Sequence, residues 1–252
     1  MPRRARKPKP HTGPAQASFV KNSHGRHDDD FYRTPPEVTQ ALCDELVLRG
    51  ISPRTILDVG CGDGAIGLVL RRSFPSVWIE GVDISDERAQ RASLSGAYGW
   101  GHAHNNEHMG SVWNGNFAIC PWKDYDLIIS NPPFKLALPF LRLALQRVRP
   151  GGHVAFLLIS QWDQETVHDD ERGKFLDSLR KPDGSEGYGK LRWKGRVDFR
   201  GNGKTDRVSH EWLVIGPGFE GQFVRVPRSP VATHEQLGLF GAPAIGAKGR
   251  IA

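Results

Sequence analysis

Two short segments of the chain contain residue types that could do chemistry together. The first is Asn131-Pro132-Pro133-Phe134, which directly follows the apolar run Tyr125–Ser130. Two consecutive prolines hold the chain extended and remove two backbone donors, so hydrogen-bond acceptors dominate this loop. The amide oxygen of Asn131 and the carbonyl of Pro132 could accept from an amino group, while Phe134 could stack on the planar group that carries it. The motif therefore predicts a site that orients a planar amine.

The second segment is Asp58-Val59-Gly60-Cys61-Gly62-Asp63-Gly64, at the end of the apolar run Thr55–Val59. Glycines allow a sharp turn and a close approach of the backbone to a ligand, and the helix start that follows supplies unpaired N–H groups. Asp58 could hold a positively charged amino-acid group. Asp83, at the end of the next predicted strand, could accept both hydroxyls of a ribose. The spacing predicts a nucleotide-like cofactor.

Alternating strands and helices must position these two segments. An apolar stripe at Val38, Leu42 and Leu46 predicts a first helix, capped by Thr34 and ending at Gly50. The other predicted helices are Ala65–Arg72, Asp86–Tyr98, Lys135–Val148 and Phe175–Leu179. The predicted strands are Thr55–Val59, Val77–Ile84, Phe117–Cys120, Tyr125–Ser130, His153–Ile159, Gly195–Phe199 and His210–Ile215. The alternation predicts an α/β fold whose largely parallel sheet has helices on both faces.

With these elements in place, roughly residues 31 to 217 resemble the class I S-adenosylmethionine-dependent methyltransferases, which have a Rossmann-like fold. The resemblance implies a seven-stranded mixed sheet and S-adenosylmethionine as the methyl donor. It assigns the cofactor's methionine and ribose portions to Asp58, Gly60, Gly62 and Gly64, and its ribose to Asp83. The adenine contact falls to Asn116, where the family most often has aspartate.

Within that family, the Asn-Pro-Pro-aromatic motif resembles enzymes that methylate planar nitrogens. Such targets are adenine N6 in DNA or RNA, guanine N2 in ribosomal RNA and the amide nitrogen of protein glutamine. The segment that contains Phe31, Tyr32, Thr34 and Pro35 is similar to the F-Y-x-T-P element of phage and bacterial adenine-N6 DNA methyltransferases, where it covers the cofactor's methionine end. We therefore expect methylation of adenine N6 in DNA, with an RNA methyltransferase as the alternative and a glutamine methyltransferase as a weaker one. A non-catalytic nucleic-acid-binding module is the alternative from another class.

Charge divides the chain into a basic tail and a nearly neutral remainder. The net charge is +6, but residues 1 to 27 hold seven Lys and Arg and no acid, which leaves the remainder at −1. The tail is rich in proline and poor in apolar residues, so we expect it to be disordered. Together with residues 180–207 it could neutralise phosphates of DNA. Within a candidate target-recognition segment at 161–207, we expect contacts from Arg192, Lys194, Arg196 and Lys204.

The boundaries 28–217 for the methyltransferase domain leave residues 218–252 as a loose tail. Within that tail, Gln236, Leu237, Leu239 and Phe240 resemble the Q-L-x-L-F peptide that docks bacterial DNA enzymes on the replication sliding clamp. His102, His104 and His108 have spacing that could suit a metal, but methyl transfer has no use for one, and we expect solvated histidines and no metal site. No apolar run reaches the roughly 20 residues of a membrane span, and the three cysteines form no C-x-x-C pair. We therefore expect a cytoplasmic protein.

Overall fold

The computed structural model describes residues 32–100, 112–119, 124–164, 170–193, 196–199 and 208–226. Its helices are α1 (Pro36–Leu48), α2 (Ala65–Ser73), α3 (Asp86–Leu94), α4 (Ala137–Leu145) and α5 (Asp170–Ser178). Its strands are β1 (Thr55–Val59), β2 (Trp78–Asp83), β3 (Gly99–Trp100), β4 (Val112–Asn114), β5 (Tyr125–Ser130), β6 (Val148–Ile159), β7 (Tyr188–Trp193), β8 (His210–Ile215) and β9 (Phe223–Val226). None of the described helices is long and apolar enough to cross a membrane.

The strands form one mixed sheet in the order β3-β2-β1-β5-β6-β8-β7-β9, with β4 also paired to β2. Strands β4, β2, β1, β5 and β6 are mutually parallel, whereas β8 is antiparallel to both of its neighbours. After β1 the chain forms β2 on one side of it, and later returns to form β5 on the other side, so the strand order reverses at β1 and β5. α/β folds bind ligands in a crevice beyond the carboxyl ends of the strands at such a point, which here lies at β1 and β5.

The two faces of the sheet bury separate apolar clusters. On one face, the predicted stripe of Val38, Leu42 and Leu46 is buried, with 2%, 0% and 0% of each residue exposed. Trp212 of β8 lies in the same cluster, and its indole N–H donates to the carbonyl of Val38 at 2.8 Å. This bond fixes the start of α1 against the sheet, close to the crevice. Helix α4 and residues of α5 belong to the cluster on the opposite face.

The sheet of the described residues has nine strands, so the expectation of seven was too low. The predicted third strand, Phe117–Cys120, is wrong, because Phe117–Ile119 forms a 3₁₀ turn and β4 precedes it. The two additional strands, β3 and β4, both pair with β2 on the side away from β1. β3 pairs with its first half, and β4 pairs in parallel with Gly81–Asp83.

The carboxyl-terminal part of the sheet also differs from expectation. Residues 196–199 are not a strand, whereas Tyr188–Trp193 is, although its first residues were predicted to lie in a loop. The chain after 217 does not leave the fold at once, because Phe219 is fully buried and β9 pairs in parallel with β7. The methyltransferase domain therefore extends at least to Val226, and a loose tail beginning at 218 is wrong.

Candidate functional site

The glycine turn and the Asn-Pro-Pro motif leave the sheet side by side. Val59, the last residue of β1, is in register with Ser130, the last residue of β5. The Ser130 hydroxyl donates to the Val59 carbonyl at 2.7 Å, which ties the two strand ends together. Gly60 and Asn131 therefore begin two loops that share one edge of the sheet.

The glycine turn adopts a backbone that other residues rarely accept. Gly60, Gly62 and Gly64 have φ values of 66°, 57° and 89°, all in the left-handed region. A Cβ built on Gly60 would meet no atom within 4 Å, so the turn faces open space at that residue, whereas a Cβ on Gly64 would lie 3.1 Å from Ser95 Oγ. Gly64 occupies the N-cap position of α2, whose first N–H groups have no partners within the helix. The turn is thus shaped to receive a ligand.

Asp58 lies beneath this turn and is fully buried. Its Oδ2 accepts from the Tyr98 hydroxyl at 2.8 Å, while its Oδ1 has no hydrogen-bond partner. Burial raises the pKa of the Asp58 carboxyl to about 7, the Tyr98 hydrogen bond opposes this, and the nearby Asp83 carboxylate adds to it. A buried carboxylate with one unsatisfied oxygen calls for a cationic or donor group from a ligand.

Tyr98 reaches Asp58 through a slot that glycines make possible. A Cβ on Gly67 of α2 would lie 2.7 Å from the tyrosine ring, and a Cβ on Gly81 of β2 would lie 2.8 Å from it. Any larger residue at either position would displace the ring. Tyr98 is not among the site residues that the sequence predicts. The only signal for it in the sequence is an aromatic residue at the end of a predicted polar helix.

Asp83 holds the turn from the neighbouring strand. Its Oδ2 accepts from the Gly62 N–H at 2.9 Å, and its Oδ1 accepts from the Ser85 N–H at 2.8 Å and from Arg88 Nε at 3.1 Å. A carboxylate has about four acceptor positions, so three are used and one remains. That leaves capacity for a ribose hydroxyl. Ile84, which follows it, is 58% exposed at the same edge and offers an apolar face to a ligand.

The side-chain amide of Asn131 has a defined orientation. Its Nδ2 donates to the Thr34 hydroxyl oxygen at 3.0 Å and to the Tyr32 carbonyl at 3.2 Å. Thr34 is therefore not the helix cap that the sequence suggested; Pro35 occupies the cap position, and no side chain caps α1. Because both contacts engage the nitrogen, the oxygen of Asn131 is the atom left to accept from a ligand.

An aromatic wall stands beside Asn131. Phe134 is stacked on His210 with ring centroids 5.9 Å apart, and Phe199 meets His210 edge-on at 4.8 Å. Tyr32 lies edge-on to Phe199 at 6.2 Å. Phe134 and Tyr32 are exposed, so the wall is open to a ligand. Phe199 and His210 come from the distant carboxyl-terminal part of the chain, and the sequence interpretation did not include them in the site.

Two other predicted ligand contacts are engaged within the fold. The Asn116 side-chain oxygen accepts from the Ala118 N–H at 2.9 Å and so stabilises the 3₁₀ turn. Asn116 is nevertheless exposed, at the edge of the sheet where the resemblance expects the adenine contact. Arg192 lies 2.6 Å from the buried Glu211 carboxylate and above the Phe223 ring, so its guanidinium supports the sheet. This pair lies across neighbouring strands, which sequence spacing does not indicate.

The remaining predicted contacts divide by whether the structure describes them. Arg196 is exposed, and Pro132 and Pro133 continue the loop after β5 as expected. The sites that lie outside the described residues are Phe31, Lys194, Lys204, the histidines at 102, 104 and 108, and the peptide with Gln236, Leu237, Leu239 and Phe240. The basic tail 1–27 also lies outside them. Among the described residues, no cluster of His, Cys, Asp and Glu could hold a metal ion.

Comparison with known families and sequences identifies several relatives. Residues 37–171 match the family model described as methyltransferase small domain. A tRNA1(Val) (adenine(37)-N6)-methyltransferase from Yersinia enterocolitica is 41% identical over 83 residues, which are 32% of this chain and 32% of that protein. The enzyme of the same name from Yersinia pestis strain Pestoides F is 38% identical over 82 residues, again 32% of each chain. The chain thus aligns with about a third of the length of these curated relatives.

Solved structures share the fold at low sequence identity. A structure assigned as an RNA methyltransferase from Pyrococcus horikoshii is 18% identical with a TM-score of 0.54, over 74% of this chain and 87% of that one. A structure assigned as a class I S-adenosylmethionine-dependent methyltransferase from Listeria monocytogenes is 14% identical with a TM-score of 0.53, over 82% and 68%. The expected Rossmann-like α/β architecture with a mixed sheet is therefore confirmed.

Proposed function

The chain belongs to the methyltransferase small domain family, and we propose that it transfers a methyl group from S-adenosylmethionine to the N6 amine of an adenine in RNA. The observation that supports this proposal is the orientation of Asn131: Thr34 and Tyr32 hold its amide nitrogen, which leaves its oxygen for a ligand, and it follows a strand end in register with the strand that precedes the glycine turn. The proposal joins two sites at one edge of the sheet, one for the methyl donor and one for the acceptor amine.

The glycine turn and its acids fit the cofactor. S-adenosylmethionine supplies, when bound, an electrophilic methyl group on a sulfonium. Its methionine ammonium matches the unsatisfied, buried Oδ1 of Asp58, a group that costs about 1–3 kcal/mol when left without a partner. The remaining acceptor position of Asp83 suits a ribose hydroxyl, and the exposed Ile84 suits the face of the adenine ring. Gly60, which has open space in front of it, lets the ligand approach the backbone.

The Asn-Pro-Pro motif fits the acceptor. Asn131 Oδ1 and the Pro132 carbonyl would accept the two N–H groups of an exocyclic amine, which turns the nitrogen lone pair toward the donor. The exposed ring of Phe134, supported from behind by the buried His210, would hold the ring that carries the amine. Positioning of this kind supplies most of the rate enhancement when the methyl group is already activated, so no strong general base is required.

The choice of adenine and of RNA is supported by the relatives. The two Yersinia enzymes act on adenine N6 of a tRNA by name, and the alignment with them covers a third of this chain. They favour the RNA alternative of the sequence analysis over the DNA expectation. DNA stays the second candidate because the segment from Tyr32 to Pro35, which resembles an element of DNA methyltransferases, lies against Asn131. An aromatic wall suits a base in a single strand or one swung out of a duplex.

The test is the identity of the methylated nucleoside. The protein is incubated with tritiated S-adenosylmethionine and unmodified tRNA, ribosomal RNA, duplex DNA or protein, and each labelled product is digested and separated. We expect N6-methyladenosine from RNA with the wild type and none with Asn131→Ala. N6-methyldeoxyadenosine alone would select the second candidate. N2-methylguanosine, or label in protein only, would refute adenine as the target.

A further inference from the structure

A four-residue segment, Tyr32–Pro35, crosses the edge of the sheet at which the two proposed sites meet; we name it the strap. Pro35 is extended, with φ −60° and ψ 140°, and α1 begins directly after it. In an extended chain, successive side chains point in opposite directions. The strap can therefore contact two walls of a cleft at once.

The strap does contact both walls. Arg33 points to the glycine turn, where its Nε lies 3.0 Å from Asp63 Oδ2. Tyr32 and Thr34, on either side of it, accept both hydrogen bonds from Asn131 Nδ2 on the opposite wall. One short segment thus joins the turn that fits the cofactor to the residue that fits the acceptor amine.

The Arg33–Asp63 ion pair links the strap directly to the glycine turn, so binding of a ligand in the turn would affect it. Asp63 lies between Gly62 and Gly64, and the Arg33 and Asp63 side chains are only 26% and 22% exposed. The second oxygen of Asp63 is buried without a hydrogen-bond partner. Its carboxylate therefore depends on Arg33, because a charge that has lost most of its water needs a partner.

From this geometry we propose that Arg33 and Asp63 are positioning residues: their ion pair draws the strap onto the occupied glycine turn and so aligns Asn131 for the acceptor. The inference rests on the proposed function, since it takes S-adenosylmethionine as the ligand of the turn. Neither residue needs to touch the reacting atoms. Arg33 acts through Asp63, and the strap passes the effect to Asn131.

The test uses S-adenosylhomocysteine, the demethylated cofactor, as the probe. Its dissociation constant is measured by calorimetry, and hydrogen exchange is followed in a peptide that covers residues 32–38. In the wild type, we expect the probe to slow exchange in this peptide. In Arg33→Ala and in Asp63→Ala, we expect binding to weaken about fivefold, in line with a partly buried ion pair, and the protection of the strap to be lost. The double variant should be no weaker than either single variant.

A matched control removes an ion pair at the other end of the sheet. Lys181 Nζ lies 2.8 Å from Glu220 Oε1. Glu220 follows β8, whose last residue, Ile215, pairs with Val154 of β6, far from the carboxyl end of β6. Lys181→Ala should leave probe binding and strap protection unchanged. If Arg33→Ala retains wild-type protection, or if the two single effects multiply in the double variant, the inference is wrong. If the wild type itself fails to bind the probe, the proposed function fails instead.

Discussion

Replacing Thr34 by valine should slow methyl transfer without weakening cofactor binding. Valine keeps the branched shape at a position that is only 4% exposed, but it removes the hydroxyl that accepts from Asn131 Nδ2 at 3.0 Å. The amide then keeps the longer bond to the Tyr32 carbonyl, at 3.2 Å. A hydrogen bond of this kind contributes about 1 kcal/mol, which corresponds to about fivefold in rate if it is needed to orient the amide in the transition state.

The assay measures initial rates with tritiated S-adenosylmethionine and the RNA that the wild type methylates, together with the dissociation constant of S-adenosylhomocysteine. We expect kcat to fall about fivefold and the dissociation constant to change less than about twofold. Thr39→Val is the matched control, since the Thr39 hydroxyl is buried on α1 without a hydrogen-bond partner. The control should retain wild-type kcat and unfold at a higher temperature. An unchanged kcat in Thr34→Val, or a loss that lies entirely in cofactor binding, would refute the assigned orientation of Asn131.

Four further predictions follow from the site and from the tail. Asn131→Ala should lower kcat far more than cofactor affinity, whereas Asp83→Asn should weaken S-adenosylhomocysteine binding more than it lowers kcat. Calorimetry measures the affinity and initial rates with saturating cofactor measure kcat. The reverse pattern would show that the two roles are misassigned. Burial raises the pKa of the Asp58 carboxyl from 3.8 to about 7, so without ligand this group favours the folded state at low pH and that contribution is lost as pH rises through 7. The ligand ammonium needs the ionised form, so binding should strengthen about tenfold between pH 6 and pH 8, and calorimetry that finds the same affinity at both values would contradict this role. Leu239→Ala combined with Phe240→Ala should abolish binding to a bacterial sliding clamp in a surface-binding assay and leave methylation of short oligonucleotides intact; equal clamp binding by wild type and variant would dispose of that interaction.

The sequence predicted the centre of the sheet well because that region is encoded locally. β1, β5 and β8 are short apolar runs of the expected lengths, and the glycine turn at Gly60 to Gly64 interrupts the pattern where the chain must change direction. Their neighbours in the sheet then follow from general rules for α/β folds.

The edges of the sheet could not be predicted in the same way. The strand Tyr188–Trp193 contains a glycine and two basic residues, and it is stabilised by the cross-strand pair of Arg192 with Glu211. The strand Phe223–Val226 follows three glycines and a proline, which are typical of a loose tail. Both depend on partners that are distant in sequence, so local patterns do not reveal them.

The candidate site shows the same division. Residues in contiguous motifs, such as Asn131 and Asp58, follow from their spacing. His210 reaches the aromatic wall through the pairing of β8 with β6, and Phe199 reaches it through its edge-on contact with His210. The sequence predicts Thr34 as a helix cap because threonine is common at the position before a helix. Its contact with Asn131 spans 97 positions, and no local signal announces it.

A crystal structure with bound S-adenosylhomocysteine tests the central claim most directly, namely that neighbouring strand ends set a methyl donor and an acceptor amine face to face. We predict that the ribose lies beside Asp83 and that the sulfur faces Asn131 Oδ1 across a gap that fits one amino group. A ligand bound away from the glycine turn, or an Asn131 side chain whose nitrogen faces the sulfur, would contradict the account.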